Sequence, residues 1–220
     1  SLLNVGKETK VYLQGSSTVA LSGATWNFST KPVGSNATFG AVKDLDTSNQ
    51  LVTFIPDVVG TYVIEFGSNG DVALITINSA VYWGVEGGPV SCKTCHQNVI
   101  NNIPDVYNTW INTGHASDTK KAFDGELSSH FGVSCMPCHS TGYDVNASND
   151  GFDDFPFVFP TVFQPGMYDS LSVLYPDAMG RANIQCEACH GPGSNHLSAI
   201  DQSKIDMSVS AEVCNYCHDA

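Results

Sequence analysis

The sequence has few basic residues. It contains 9 Lys and Arg against 22 Asp and Glu, with Arg181 as the single arginine, and its formal net charge is −13. Such an acidic surface repels phosphate backbones, so nucleic acid is excluded as a natural partner. The chain also lacks an apolar run of the roughly 18 residues that a membrane helix needs. No membrane span is therefore predicted, and partners are expected to be basic surfaces, metal ions, other proteins or further copies of the chain.

The first 80 residues contain neither cysteine nor histidine. They form short segments rich in β-branched and aromatic residues, separated by turn-forming residues. Within one segment, Tyr62, Ile64 and Phe66 alternate and would share one face of a half-buried strand. Strands are predicted at 11–13, 24–28, 51–55, 61–66 and 72–77. This spacing predicts an all-β sandwich over residues 1–82.

The segment from Phe54 to Tyr62 resembles the entry to a late strand in immunoglobulin-like and PKD-like bacterial domains. In those domains the tyrosine forms a corner, so the resemblance implies the same role for Tyr62. It also implies an Ig/PKD-like domain that serves as a spacer or packing module, because no residue in this part suggests chemistry. The glycine-rich residues 83–91 are predicted to be a linker to a second domain, 92–220.

All eight cysteines fall in four copies of one motif, C-x-x-C-H. Two thiols three positions apart can add to the two vinyl groups of one haem, and the adjacent histidine can bind the iron from the proximal side. Zinc sites need the cysteine pairs but no histidine after each, and a thioredoxin-like pair would occur once. The motifs therefore predict four covalently attached haem c groups. Their residues are Cys92, Cys95 and His96; Cys135, Cys138 and His139; Cys186, Cys189 and His190; and Cys214, Cys217 and His218.

Three histidines lie outside the motifs: His115, His130 and His196. Each is predicted to be a distal iron ligand, and each lies near a motif in a position from which it could serve a neighbouring haem. Four irons with two histidines each need eight, and the chain has seven. At least one iron must therefore have another sixth ligand or an open position. The alternatives are Met167, Met179, Met207, the α-amine of Ser1, a lysine or none, and Met136, inside a motif, is the least suited.

Several longer segments of the second half resemble the cytochrome c554 family of tetrahaem proteins. They are the W-x-x-x-G-H-A segment at 110–116, the run at 138–143, the loop at 149–153 and C-E-x-C-H-G-P-G-S-x-H at 186–196. The resemblance implies closely stacked haems, mostly with two axial histidines. The chain is also similar in haem count and size to tetrahaem cytochromes that polymerise into extracellular nanowires.

The second half is predicted to be a mostly irregular, short-helix multihaem cytochrome c domain. Short helices are predicted around 106–111, 118–123 and 169–174, between long loops. Aliphatic residues are few, so side chains alone are not expected to build its core, and haems are expected to fill it.

Electron transfer is the predicted function, and no enzymatic activity is expected. One alternative is a polymeric or cell-surface conduit built from copies of the chain; another is a soluble periplasmic shuttle that docks to redox partner proteins. A third is a nitrogen-oxide reductase with one open haem. The chain begins at Ser1 rather than Met, which a removed signal peptide would explain, so a secreted, extracellular or periplasmic location is expected.

An acidic loop spans Asp144 to Asp154. It could bind calcium through Asp144, Asn146, Asp150 and Asp153, although it lacks the EF-hand spacing and the closing glutamate. The alternative is an ordinary solvated loop.

Overall fold

A computed structural model of the chain describes residues 3–98, 103–127 and 130–218. Its first part consists of strands in two sheets, with the orders β1-β7-β6-β3 and β2-β5-β4. The pairing of β1 with β7 is parallel and the other pairings are antiparallel. The strands are β1 (Asn4–Gly6), β2 (Val11–Ser16), β3 (Thr25–Thr30), β4 (Lys43–Asp46), β5 (Asn49–Phe54), β6 (Gly60–Ser68) and β7 (Asp71–Ala80).

A hydrophobic core joins the two sheets. Val52 and Phe54 from β5 pack in one cluster with Tyr62 and Ile64 from β6 and Ile77 from β7. All five side chains are almost completely buried. The alternation predicted for β6 is confirmed, because its buried side chains point to one face and meet the other sheet.

The hydroxyl of Tyr62 closes the turn that enters β6. It accepts the Val58 N–H bond at 3.0 Å. The Tyr62 hydroxyl proton can be donated to the Val58 carbonyl at 2.9 Å or to the Asp57 carboxylate at 3.1 Å. The predicted corner geometry is thus present, whereas a relation to immunoglobulin or PKD domains stays a prediction.

All five predicted strands are present, and two further strands were not predicted. β1 covers only Asn4–Gly6 and pairs with residues 78–80, so its partner is more than 70 positions away in sequence. β4 consists of Lys43–Asp46, and all four of its residues are exposed. Neither segment has the alternation of apolar and polar residues on which strand prediction depends.

After residue 90 the described chain forms short helices joined by irregular segments. The helices predicted around 106–111, 118–123 and 169–174 are all present. No helix in the described ranges is long and apolar enough to cross a membrane. The helices are α1 (Cys92–His96), α2 (Tyr107–Trp110), α3 (Asp118–Phe123), α4 (Met136–His139), α5 (Met167–Leu174), α6 (Pro176–Met179), α7 (Cys186–His190), α8 (Ser194–Ala199) and α9 (Ala211–His218), with 3-10 turns at Val133–Cys135, Phe152–Asp154 and Gln202–Lys204.

One region of this half has a core of aromatic side chains, contrary to the expectation that side chains alone would not build one. Phe123 and Met136 are at most 1% exposed and pack with Phe152, Leu171 and other buried residues. The expectation was based on the scarcity of aliphatic residues and overlooked an alternating run of phenylalanines. The aromatic cluster is completed by Phe131, Tyr143, Phe155, Phe157, Phe159, Phe163, Met167, Tyr168, Tyr175, Ala178, Met179 and Ala182.

Candidate haem-attachment site

Each of the four motifs lies on a helical turn. α1, α4, α7 and α9 end at the histidines of the four motifs, and in the second motif Cys135 lies in the 3-10 turn that directly precedes α4. In a helix, residues three and four positions apart lie on one face, so both thiols and the imidazole of each motif point to the same side. α1 begins after Ser91, whose side chain accepts the Thr94 N–H bond. All eight cysteines are in the described residues and none is in a disulfide.

Thiols from different motifs lie close together. A hydrogen bond with Cys186, together with burial, raises the pKa of the Cys92 thiol. Burial, with the neighbouring Cys138 thiol as a second cause, raises the pKa of Cys217 to about 12. Burial also raises the pKa of Cys189, and the adjacent Cys214 adds to this effect. The first motif therefore meets the third, the second meets the fourth, and the third meets the fourth.

A cavity of about 740 Å³ opens between the second, third and fourth motifs. This volume lies in the range of cofactor sites, about 300–1,000 Å³. Histidines and thiols from separate parts of the chain reach it together with aromatic rings. The lining includes Tyr82, His115, Cys138, His139, Tyr143, Cys189, Cys214, Tyr216, Cys217 and His218.

His115 and His218 lie close to each other in this cavity. Their ring centroids are 6.1 Å apart and the rings are inclined at 50°. Imidazole nitrogens bind a metal ion at about 2.0 Å, which puts two rings on opposite sides of one ion roughly 6 Å apart between centres. The segment before His115 is fixed because the Trp110 indole donates to the Ile184 carbonyl at 3.0 Å, and the His115 carbonyl accepts the Ile184 N–H bond.

The motif histidines differ in what faces Nδ1. His190 Nδ1 is 2.6 Å from the Asp206 carbonyl, and His139 Nδ1 is 2.5 Å from Asp118 Oδ2. His96 Nδ1 and His139 Nδ1 are both buried without a hydrogen bond among the residues that the structure describes, so the approach of Asp118 to His139 is a close contact and not a hydrogen bond. A carbonyl or carboxylate at Nδ1 holds the proton there and leaves Nε2 free for a metal ion. The donor set at His190 therefore fits a haem iron.

The sequence did not reveal these neighbours of the two histidines. Asp206 is 16 positions after His190 and acts through its backbone, and Asp118 is 21 positions before His139. A backbone carbonyl leaves no trace in the residue type, and an aspartate in an acidic chain does not stand out. Only the fold brings either group to its histidine.

The other two predicted distal ligands lie outside the lining of the cavity. His196, on α8, has Nδ1 2.9 Å from the Asp201 carbonyl, so its Nε2 is available as a ligand. His130 is exposed and precedes the turn at Val133–Cys135. The assignment of both histidines as distal ligands stays a prediction.

The methionines predicted as alternative sixth ligands differ in whether they are packed or exposed. Met136, Met167 and Met179 pack in the aromatic cluster. Met207 is 69% exposed. Ser1 lies outside the described residues.

The acidic loop uses its carboxylates as turn acceptors. The Asp144 carboxylate accepts a hydrogen bond from the Asn146 N–H, and the Asp153 carboxylate accepts one from the Asp144 N–H. The Asp154 carboxylate accepts hydrogen bonds from the N–H groups of Asn149 and Gly151. Among the described residues, no group of three or more His, Cys, Asp and Glu side chains is placed to hold a metal ion. Calcium binding stays a prediction.

Comparison with known proteins points to one class. A family model described as cytochrome c554 and c-prime matches residues 91–157, about a third of the chain, which contain the first two motifs. The match supports a c-type cytochrome that carries covalently bound haem c with iron and transfers electrons. No curated protein and no solved structure matches the chain. Domains of this class are typically periplasmic or extracellular.

Proposed function

We propose that the chain is a tetrahaem electron-transfer protein, with one haem c on each motif. The observation that carries the proposal is the convergence of the second, third and fourth motifs on one cavity while the first motif contacts the third. The cysteines attach each haem and the motif histidine binds its iron. Covalent haem supplies reversible one-electron exchange at the iron. The polypeptide contributes spacing, ligand orientation and the local charge.

His115 is proposed as the second axial ligand at the fourth motif. The neighbouring rings of His115 and His218 support this pairing, because their separation suits one ion between them. His130 and His196 are proposed as distal ligands at two other motifs. One iron per chain then lacks a second histidine, and Met207 is the methionine outside the aromatic cluster that could bind there.

The fourth site is proposed as the point where electrons enter or leave the chain. Among the described residues, α9 has no buried side chain. Cys214 is exposed, and Tyr216 is 67% exposed beside the cavity. A site at the surface suits transfer to another molecule. We propose a secreted conduit in which copies of the chain meet near α9.

A periplasmic shuttle is the second candidate. The net charge of −13 favours it, because copies of such a chain repel one another, whereas a basic redox partner is attracted. Docking of a shuttle would slow as salt screens this attraction. Electron micrographs of native protein separate the candidates: filaments support the conduit, and monomers with salt-dependent docking support the shuttle. Catalysis at an open haem is not proposed.

The variant His115→Ala tests the ligand assignment. Electron paramagnetic resonance should show one haem changing from low spin to high spin. The haem count by mass should remain that of the wild type, because His115 does not take part in thioether attachment. Asn112→Ala, an exposed change in the same segment, is the matched control and should alter nothing. A fully low-spin His115→Ala protein would contradict the assignment.

A further inference from the structure

We propose that the N-terminal β domain contributes to the function of the third haem site. It positions Glu187 and His190 of the third motif and thereby sets the reduction potential of that haem. The inference rests on the proposed attachment of a haem to Cys186 and Cys189. It assigns a role to the domain that the sequence indicated only as a spacer.

Glu187 is the first link between the two halves. It lies inside the third motif and is 1% exposed. Its carboxylate accepts N–H bonds from Trp83 at 3.0 and 3.1 Å, from Gly84 at 2.7 Å and from Gly193 at 2.6 Å. A Cβ at position 193 would lie 3.1 Å from Glu187 Oε1, so a glycine there permits the close approach.

These contacts favour the ionised carboxylate. Every hydrogen bond that the structure gives Glu187 comes from an N–H donor, and a protonated carboxyl would turn its own hydrogen towards those donors. Burial raises the pKa of Glu187, and the N–H bonds and the charge of Arg181 act against that effect. Because all of these donors are N–H groups, the contacts assign Glu187 a negative charge next to Cys186. In a poorly solvated site such a charge acts strongly on a nearby redox centre.

The segment that donates to Glu187 joins the β domain to the second half. The connecting segment, residues 81–85, directly follows β7. Other backbone N–H groups of this segment also donate hydrogen bonds to residues of the second half. Val81 N–H donates to Ser194 Oγ at 3.0 Å, Tyr82 N–H to the Asn149 carbonyl at 2.8 Å, and Val85 N–H to Gln185 Oε1 at 2.6 Å. The segment is therefore fixed along its length.

His190 is linked to the β domain from the other end of the motif. The carbonyl that faces His190 Nδ1 belongs to Asp206, whose carboxylate accepts N–H bonds from Leu3 at 3.1 Å and Asn4 at 3.0 Å. β1 therefore anchors the residue that orients the imidazole. Gly191 has φ +77°, and a Cβ there would lie 2.3 Å from the Asn4 carbonyl oxygen. β1 thus packs directly against the end of the motif.

The second motif also has a carboxylate beside its histidine, because Asp118 Oδ2 lies 2.5 Å from His139 Nδ1. The first motif also contacts the connecting segment, because Lys93 N–H donates to the Val85 carbonyl at 3.1 Å. Glu187, however, is the one acidic residue inside the four motifs. α4 rests on the aromatic cluster through Met136, and among the described residues α1 and α9 have no buried side chains. Glu187 and the Asp206 carboxylate bring two negative charges to the third motif. A negative charge stabilises the oxidised iron, so the third haem is assigned a lower potential than an uncharged site would give it.

The test is a redox titration of the four-haem protein and its Glu187→Gln variant, followed by optical and paramagnetic spectra. Peptide mass mapping first establishes whether Cys186 and Cys189 carry a haem; a bare third motif would refute the proposed function itself. The potential of the third haem is identified as the one missing from a Cys186→Ala/Cys189→Ala variant. Asp71→Asn, an exposed change at the start of β7, is the control of equal charge.

Glu187→Gln should raise the potential of the third haem more than the other potentials, and amides 83–85 should exchange hydrogen faster. Asp206→Asn should raise the same potential and speed exchange in β1, and it serves if Glu187→Gln does not fold. Asp71→Asn should change neither. A four-haem Glu187→Gln protein with wild-type potentials would overturn the inference, even if exchange were faster, because the domain would then be only a mechanical support.

Discussion

The two halves of the chain differ in what fills their interiors. In residues 4–80, side chains from two sheets meet and bury one another, with Tyr62 and Ile64 completely enclosed. In the second half, a cavity of about 740 Å³ lies where three of the four motifs converge. A chain whose side chains fill the interior can fold alone, whereas the proposed haems would complete the interior where the motifs converge.

The same contrast recurs within the second half. α4 and α9 carry the same motif, but α4 buries Met136 in the aromatic cluster, and α9 has no buried side chain among the described residues. The sequence motif therefore does not determine how its helix is supported. The aromatic cluster supports α4, and the connecting segment contacts α7 through Glu187, whereas α9 has no buried side chain among the described residues.

Removal of the fourth haem should have the largest effect. In Cys214→Ala/Cys217→Ala the protein should carry three haems, and the amides of α9 should lose their protection in hydrogen exchange. The reason is that no packed side chain replaces the haem there. The matched variant Cys135→Ala/Cys138→Ala should also carry three haems but keep α4 protected. Equal loss of protection in both helices would break the contrast between them.

A cavity in the β core should have the next largest effect. Ile64 is 0% exposed, so Ile64→Ala should lower the free energy of unfolding of the β domain by about 2–5 kcal/mol. Denaturant unfolding followed by tryptophan fluorescence measures this change. The exposed Leu74→Ala in β7 should cost less than about 0.5 kcal/mol. If Ile64→Ala changed the haem spectra as well as the unfolding midpoint, the β core would not be independent of the haem sites.

The smallest effect is expected at a surface pair near the first motif. The Lys93 ammonium, 2.7 Å from Glu86, lowers the pKa of the Glu86 carboxyl. A lowered pKa in the folded state gives stability that is present above the unfolded pKa and is lost as the pH falls through the folded value. At neutral pH the free energy of unfolding of the wild type should exceed that of Glu86→Gln by less than about 1 kcal/mol. The difference should vanish in acid, and a difference that grew in acid would contradict the pairing.

Local patterns in the sequence were sufficient for the strands with alternating residues and for all four motifs. Features made by distant residues were not predictable. β1 pairs with β7 across the whole β domain, His115 lies close to a histidine 103 positions later, and Glu187 meets the connecting segment about 100 positions before it. The aromatic cluster had a signal that was overlooked: Phe155, Phe157 and Phe159 alternate like a strand.

Peptide mass mapping of the native protein tests the central claim most directly. Digestion should yield four peptides, each with one C-x-x-C-H motif and one covalently bound haem, and no free thiol elsewhere. A motif recovered with two unmodified cysteines would contradict the tetrahaem assignment, and its position would show which part of the cavity needs another explanation.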